Sequence, residues 1–147
     1  MELWELEARE TIRDLVAGYT WAGDRGRSAE LSDLFTVDGV LDAGAHGGAW
    51  EGRDRIRAEL DAVADRVVAT GGSPGPVRHH VSNVRIRLVG PDEAEVMSYF
   101  AVLTSIGLDH WGRYRDRVVR TEDGTWRFTE RTVRVDGHAP GSLMVEP

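Results

Sequence analysis

The chain has 147 residues, 41% hydrophobic and 29% charged, with a formal charge of −7; that is enough for one soluble domain with a sizeable core, and the wrong sign for binding a nucleic-acid backbone. All 18 basic residues are Arg and there is no Cys, which excludes thiolate nucleophiles, lysine Schiff bases, disulfides and Cys-rich zinc sites. The acidic N-terminus has no apolar signal core, and no stretch approaches the roughly 18 apolar residues of a membrane span. A cytoplasmic protein with no membrane contact is expected. His, Asp, Glu, Tyr, Ser and Thr remain for chemistry.

Residues 5–22 are expected to form a helix, with Ile12, Leu15, Val16 and Tyr19 on one apolar stripe and Gly23 as its stop. Ser28 fits the N-cap of a short helix carrying Leu31, Leu34 and Phe35. Residues 37–43 read as a strand with a bend at Asp38-Gly39, and residues 44–48 as a glycine-rich loop. Asp54 is expected to cap a third helix to about Val68, with Ile56, Leu60, Val63 and Val67 facing in. Residues 70–76, rich in Gly and Pro, form a loop. Four alternating segments follow, at 79–89, 94–104, 113–120 and 126–135, with turns at Gly90-Pro91-Asp92 and Asp123-Gly124. Helices first and an antiparallel meander after give an α+β fold over residues 1–147, with residues 136–147 as a tail that packs on a partner subunit or lies loose.

Strand period decides which side chains face the core. In the first long strand His80, Ser82, Val84, Ile86 and Leu88 share one face, and His79, Val81, Asn83, Arg85 and Arg87 the other. The apolar set should face inward, so His80 is the expected inner histidine; a bulge near Ser82 would reverse that and select His79. In the strand from Arg113, Tyr114, Asp116 and Val118 face in, opposite three arginines. A buried Asp116 must be either functional or tied into a network, because burying a carboxylate costs several kcal/mol otherwise. His46 and His110 read as loop residues and His138 as part of the tail. Trp21, Trp50, Trp111 and Tyr99 are expected in packing, some of it pocket lining, and Trp126 in the core.

Taken together, residues 12–24, Leu34-Phe35-Thr36 with Asp38, Gly52 leading into a helix, His79-His80-Val81-Ser82-Asn83, Gly112-Arg113-Tyr114-Arg115-Asp116 and residues 123–128 resemble the SnoaL-like branch of the NTF2-like superfamily. The resemblance covers roughly residues 5–136. It implies a curved antiparallel sheet wrapped by about three helices into a cone, one apolar pocket and a homodimer. Scytalone dehydratase, bile-acid 7α-dehydratase and hexachlorocyclohexane dehydrochlorinase are similar around an Asp–His pair, which the resemblance maps onto Asp24 and His80, with Tyr19 as a nearby donor. Ala43 stands where scytalone dehydratase has a tyrosine. Asp116 is the nearest match to the acid of SnoaL-type cyclases.

These readings imply a cofactor-independent lyase or isomerase acting on an apolar cyclic or polyketide-like molecule. Asp24, His80, Tyr19 and Asp116 would be catalytic, and Tyr114, Tyr99 and Trp21 would bind substrate. His79 and His80 face opposite ways, so they cannot both join Asp24 and no metal site is expected. Two alternatives stand beside this reading: a natural-product cyclase working through Asp116, and a non-catalytic binding or assembly module. Separately, Asp24 could be a loop cap and Tyr19 a core residue.

Overall fold

The computed structural model describes residues 1–69 and 75–145; the expected loop at 70–76 lies largely outside them. Helices α1 (Leu3–Asp24), α2 (Ser28–Asp33) and α3 (Arg53–Ala69) pack on a six-stranded sheet. Its strands are β1 (Phe35–Asp42), β2 (Ala49–Glu51), β3 (Arg78–Gly90), β4 (Glu93–Thr104), β5 (Gly107–Arg120) and β6 (Trp126–His138). Their order is β2-β1-β6-β5-β4-β3, with β1 parallel to β6 and every other pairing antiparallel. This is the expected α+β architecture.

Helix α1 starts earlier and ends later than its apolar stripe predicts. At the start, the Glu2 N–H donates to Glu5 Oε2 at 2.7 Å, closing a capping box. At the end, the Arg27 N–H reaches Ala22 O and the Gly26 N–H reaches Gly23 O, with Gly26 at φ +66°. That is the left-handed stop of a Schellman motif, so Gly26 ends the helix and Gly23 does not. The extra turn matters because it makes Asp24 the last helical residue, fixed in direction by the helix. Helix α2 stops at Asp33, and Phe35 already belongs to β1. Ser28 is not a cap; its hydroxyl donates to Asp61 of α3. The glycine-rich loop holds a short 3-10 turn at Gly44–His46 and leads into the unexpected edge strand β2. Along α3, Ile56 is buried and Leu60 packs on the core, but Val63 is 38% exposed.

The main core lies between α1 and the inner face of the sheet. Ile12, Phe35, Ile56, Val118 and Phe128 are fully buried there, each contributing on the order of 1.5–3 kcal/mol. Trp126 joins them as expected, and Trp50 packs at the margin. A second cluster of Phe100, Val102 and Tyr114 fills the inner face toward the site. Tyr99 (58% exposed) and Trp111, by contrast, stand on the outer face. Gly112 sits where the strands pack most closely: a Cβ there would lie 2.0 Å from the Arg134 carbonyl oxygen and 2.8 Å from the Phe100 ring. Gly112→Ala is therefore expected to destabilise the fold by at least about 1–3 kcal/mol in urea unfolding.

Of the register shifts among the described strands, three decide which side chains around the site face inward. In β3, Asn83 and Val84 oppose a single residue of β4, and Asn83 takes φ 55°. In β5, Asp109 is the extra residue against β4. In β6, Thr129 is the extra residue against β5. Each bulge flips the side-chain alternation beyond it. The inner set in β3 therefore runs Leu88, Ile86, Val84 and then Val81 and His79, while His80 is exposed. This corrects the expected facing of His80.

The tail also differs from expectation. Residues 139–145 fold back on the start of β5: the Ala139 N–H donates to Asp109 O, and Val145 is buried.

Candidate functional site

The site forms where the C-terminal end of α1 meets the start of β3. Asp24 grips His79 twice. Its Oδ2 accepts the His79 backbone N–H at 2.9 Å, and its Oδ1 lies 2.5 Å from Nδ1 of the ring. A carboxylate accepts, so Nδ1 carries the hydrogen and Nε2 is left as the basic nitrogen. Both side chains are mostly withdrawn from solvent. The negative end of the α1 dipole lies beside the ring and favours a positive charge there.

A cleft of about 210 Å³ opens next to the pair, lined by Thr20, Trp21, Asp24, Arg25, Arg78, His79 and His80. The sequence placed His80 in the pair; the structure puts it on the cleft rim, with the bulge at Asn83 as the cause. Trp21 is 63% exposed and carries the Arg25 guanidinium over its ring at 3.9 Å, so it forms a wall of the cleft instead of core. Tyr99 projects from the opposite face of the sheet and does not reach this cleft.

Deeper on the inner face, Asp116 and Arg131 form a buried ion pair. Arg131 Nε donates to Asp116 Oδ1 and Nη2 to Oδ2, both at 2.8 Å. The guanidinium is 0% exposed and stacks over the rings of Tyr114 (4.0 Å), Tyr19 (4.2 Å) and Phe128 (4.4 Å). Burial works against the charge of Arg131, but the Asp116 carboxylate overcomes it and holds its pKa above the ordinary value. Nη1 is buried with no partner among the described residues. Asp116 is therefore anchored in a network, one of the two roles its burial required. Tyr19 packs edge-on against Tyr114, and Tyr114 stacks on Phe100. Burial raises the pKa of both phenols, so they remain protonated donors.

Sequence reasoning missed Arg131. Strict alternation from Trp126 and Phe128 points Glu130 inward and Arg131 out; the bulge at Thr129 reverses them. It also placed His110 in a loop. His110 instead lies in β5 and is buried, its Nδ1 2.8 Å from Asp109 Oδ1. Asp109 is 0% exposed and also accepts from Thr104 Oγ1, Ser142 Oγ and the Leu143 N–H. Against the upward push of burial, these donors lower its carboxyl from 3.8 to about 2. A carboxyl lowered in the fold stabilises it above about pH 4 and loses that contribution as pH falls toward 2. Asp109→Asn should therefore flatten the loss of stability between about pH 4 and pH 2, read from urea midpoints across that range. His138 ends β6, half-buried, with Nδ1 3.0 Å from Ala139 O. Among the described residues no group of three or more His, Asp or Glu side chains is arranged to hold a metal ion. None of their helices is long and apolar enough to cross a membrane.

A family model described as a SnoaL-like domain matches residues 4–132. No curated protein matches the sequence significantly. Among solved structures, an NTF2-like protein with a cystatin-like fold from Novosphingobium aromaticivorans is 27% identical, with a TM-score of 0.76 over 96% of this chain and 90% of its own. A protein from the same organism, provisionally named a scytalone dehydratase, is 25% identical, with a TM-score of 0.75 over 100% of this chain and 99% of its own. LinA, 19% identical over 99% of this chain and 98% of its own, shares the fold at a TM-score of 0.75.

Proposed function

The chain belongs to the SnoaL-like domain family, and from that membership and its Asp24–His79 pair we propose that it is a cofactor-independent lyase or isomerase, dehydratase-like, working by general acid/base chemistry on a small cyclic or polyketide-like molecule. The observation that carries this reading is the 2.5 Å contact between Asp24 and His79 at the wall of a cleft.

His79 Nε2 would take a proton from a C–H beside a carbonyl, and the C–H electron pair would enter an enolate. Asp24 keeps the ring oriented and offsets the imidazolium charge. Tyr19, the donor the resemblance implies, is not among the residues that line the cleft; its ring lies under the Arg131 guanidinium at 4.2 Å. In a dehydration the enolate pair forms the double bond, the C–O bond breaks, and the leaving oxygen takes the imidazolium proton to depart as water. In an isomerisation the same proton returns to a different carbon. Either route ends with His79 neutral. The provisional name of the Novosphingobium relative agrees with the first.

The cleft narrows the expected substrate. Trp21 gives one aromatic wall, and the rest of the lining is polar or charged. At about 210 Å³ it lies below the roughly 300–1,000 Å³ of drug-sized pockets. A compact ring with polar substituents fits it better than an apolar polycycle. Asp116 has both oxygens on Arg131, which leaves the cyclase alternative without a free acid.

The test is α-hydrogen exchange of simple cyclic ketones such as cyclohexanone in D₂O, followed by NMR. Exchange above the buffer rate is expected with the wild-type chain. Binding without exchange would instead identify a ligand carrier. A homodimer is part of the same reading: Met97, Tyr99, Leu103 and Trp111 leave apolar surface exposed on the outer face of the sheet. Light scattering should then give twice the 16.3 kDa chain mass.

A further inference from the structure

The lining of the cleft beside Asp24 and His79 carries two arginines against one carboxylate, in a chain whose formal charge is −7. The two cations are sequence neighbours of the pair: Arg25 follows Asp24 at the end of α1, and Arg78 precedes His79 at the start of β3. The bond between Asp24 and His79 therefore brings both guanidinium groups to one opening. Each spends one nitrogen on the protein. Arg25 Nη1 donates to Trp21 O at 3.1 Å, and Arg78 Nη1 donates to Val77 O at 2.8 Å. Among the described residues, neither forms an ion pair, and Nε and Nη2 of both have no partner. Asp24 cannot serve them, because its two oxygens are on His79. The Nε–Nη2 edge is the one that meets a carboxylate with two parallel hydrogen bonds, as Arg131 does with Asp116. In Arg25 that edge is also held in place, by the guanidinium lying over the Trp21 ring at 3.9 Å.

We propose that the cleft takes an organic anion: a compact ring whose carboxylate is held by Arg25 and Arg78 while a C–H beside its carbonyl faces His79 Nε2. The two guanidinium groups outweigh the Asp24 carboxylate locally, which the chain as a whole does not do for its own acids. A carboxylate replaces water on their open edges with charge-assisted bonds, where a neutral group offers no such exchange. It also fixes one end of the ring, and a general base gains most from a substrate held in one orientation. This inference rests on the Asp24–His79 reading for the reacting end of the substrate, but the anion seat can fail separately.

The probes are 4-oxocyclohexanecarboxylate and its methyl ester, which share a ring and a ketone and differ in the charge. Affinities are measured by titration at low salt, and the arginine Nε–H signals are followed by NMR in the wild-type chain. The acid should bind about tenfold tighter than the ester, the order expected of charge-assisted hydrogen bonds. The negative chain as a whole repels an anion, so such a preference needs a local seat. The Nε–H signals of Arg25 and Arg78 should shift with the acid and not with the ester. Arg25→Gln combined with Arg78→Gln should bring the affinity ratio close to one by weakening the acid, while His79→Gln should keep the preference. Equal affinities in the wild-type chain, undetectable binding of both included, would overturn the proposal. So would a preference that survives the double substitution, or Nε–H shifts confined to other arginines. If the double variant does not fold, the wild-type shifts decide alone. A tenfold preference with no ketone exchange would remove the Asp24–His79 chemistry and leave the anion seat standing; exchange with no preference would do the reverse.

Discussion

Replacing His79 by Gln should lower α-hydrogen exchange of a cyclic ketone by about 10²–10⁴, the usual worth of a positioned general base. His80→Gln should leave it within about twofold. The two residues are neighbours of the same type, so composition, net charge and helix content change equally in both variants. Only orientation separates them. His79 is bonded to Asp24 through its ring and its backbone; His80 is exposed on the rim of the cleft. Equal losses in the two variants would contradict the assignment, and a larger loss at His80 would reverse it.

The second large effect is on stability. Asp116→Ala should cost about 3–5 kcal/mol, because it strands a guanidinium with no solvent exposure among three aromatic rings. Arg131→Met combined with Asp116→Leu should be close to neutral, since apolar side chains of similar volume remove the desolvation cost together with the attraction. For comparison, breaking the exposed Arg87–Glu95 pair with Glu95→Ala should cost less than about 1 kcal/mol. Urea midpoints at constant m-value measure all three. A loss below 1 kcal/mol for Asp116→Ala would show that the pair is not the anchor of the inner face. If the effect appeared in turnover and not in stability, it would return Asp116 to the role of catalytic acid.

The architecture could be read from the sequence because it rests on signals that accumulate over many residues. The stripe of Ile12, Leu15 and Val16, the alternation in Tyr114, Asp116 and Val118, and the Asp123-Gly124 turn each gave the correct element or face. Errors occurred where one inserted residue reverses everything beyond it. The bulge at Asn83 exchanged His79 for His80; those at Asp109 and Thr129 brought His110 and Arg131 inside. Strand period has no memory of such an insertion, and Ser82-Asn83, Asp109 and Thr129 carry no strong local mark of one. Asn83 at φ 55° is the nearest to a cue, since Asn tolerates that conformation better than most residues. The pairing of Asp109 with Ser142 and Leu143 was illegible for another reason: it joins residues 33 and 34 positions apart through the fold-back of the tail.

The hydrogen bond between Asp24 and the His79 ring orients the proposed base, and ¹⁵N–¹H NMR of the imidazoles measures it. A strongly downfield Nδ1–H proton assigned to His79, present in the wild-type chain and lost in Asp24→Asn, is the predicted result. The same signal assigned to His80, or a His79 signal indifferent to Asp24→Asn, would contradict it.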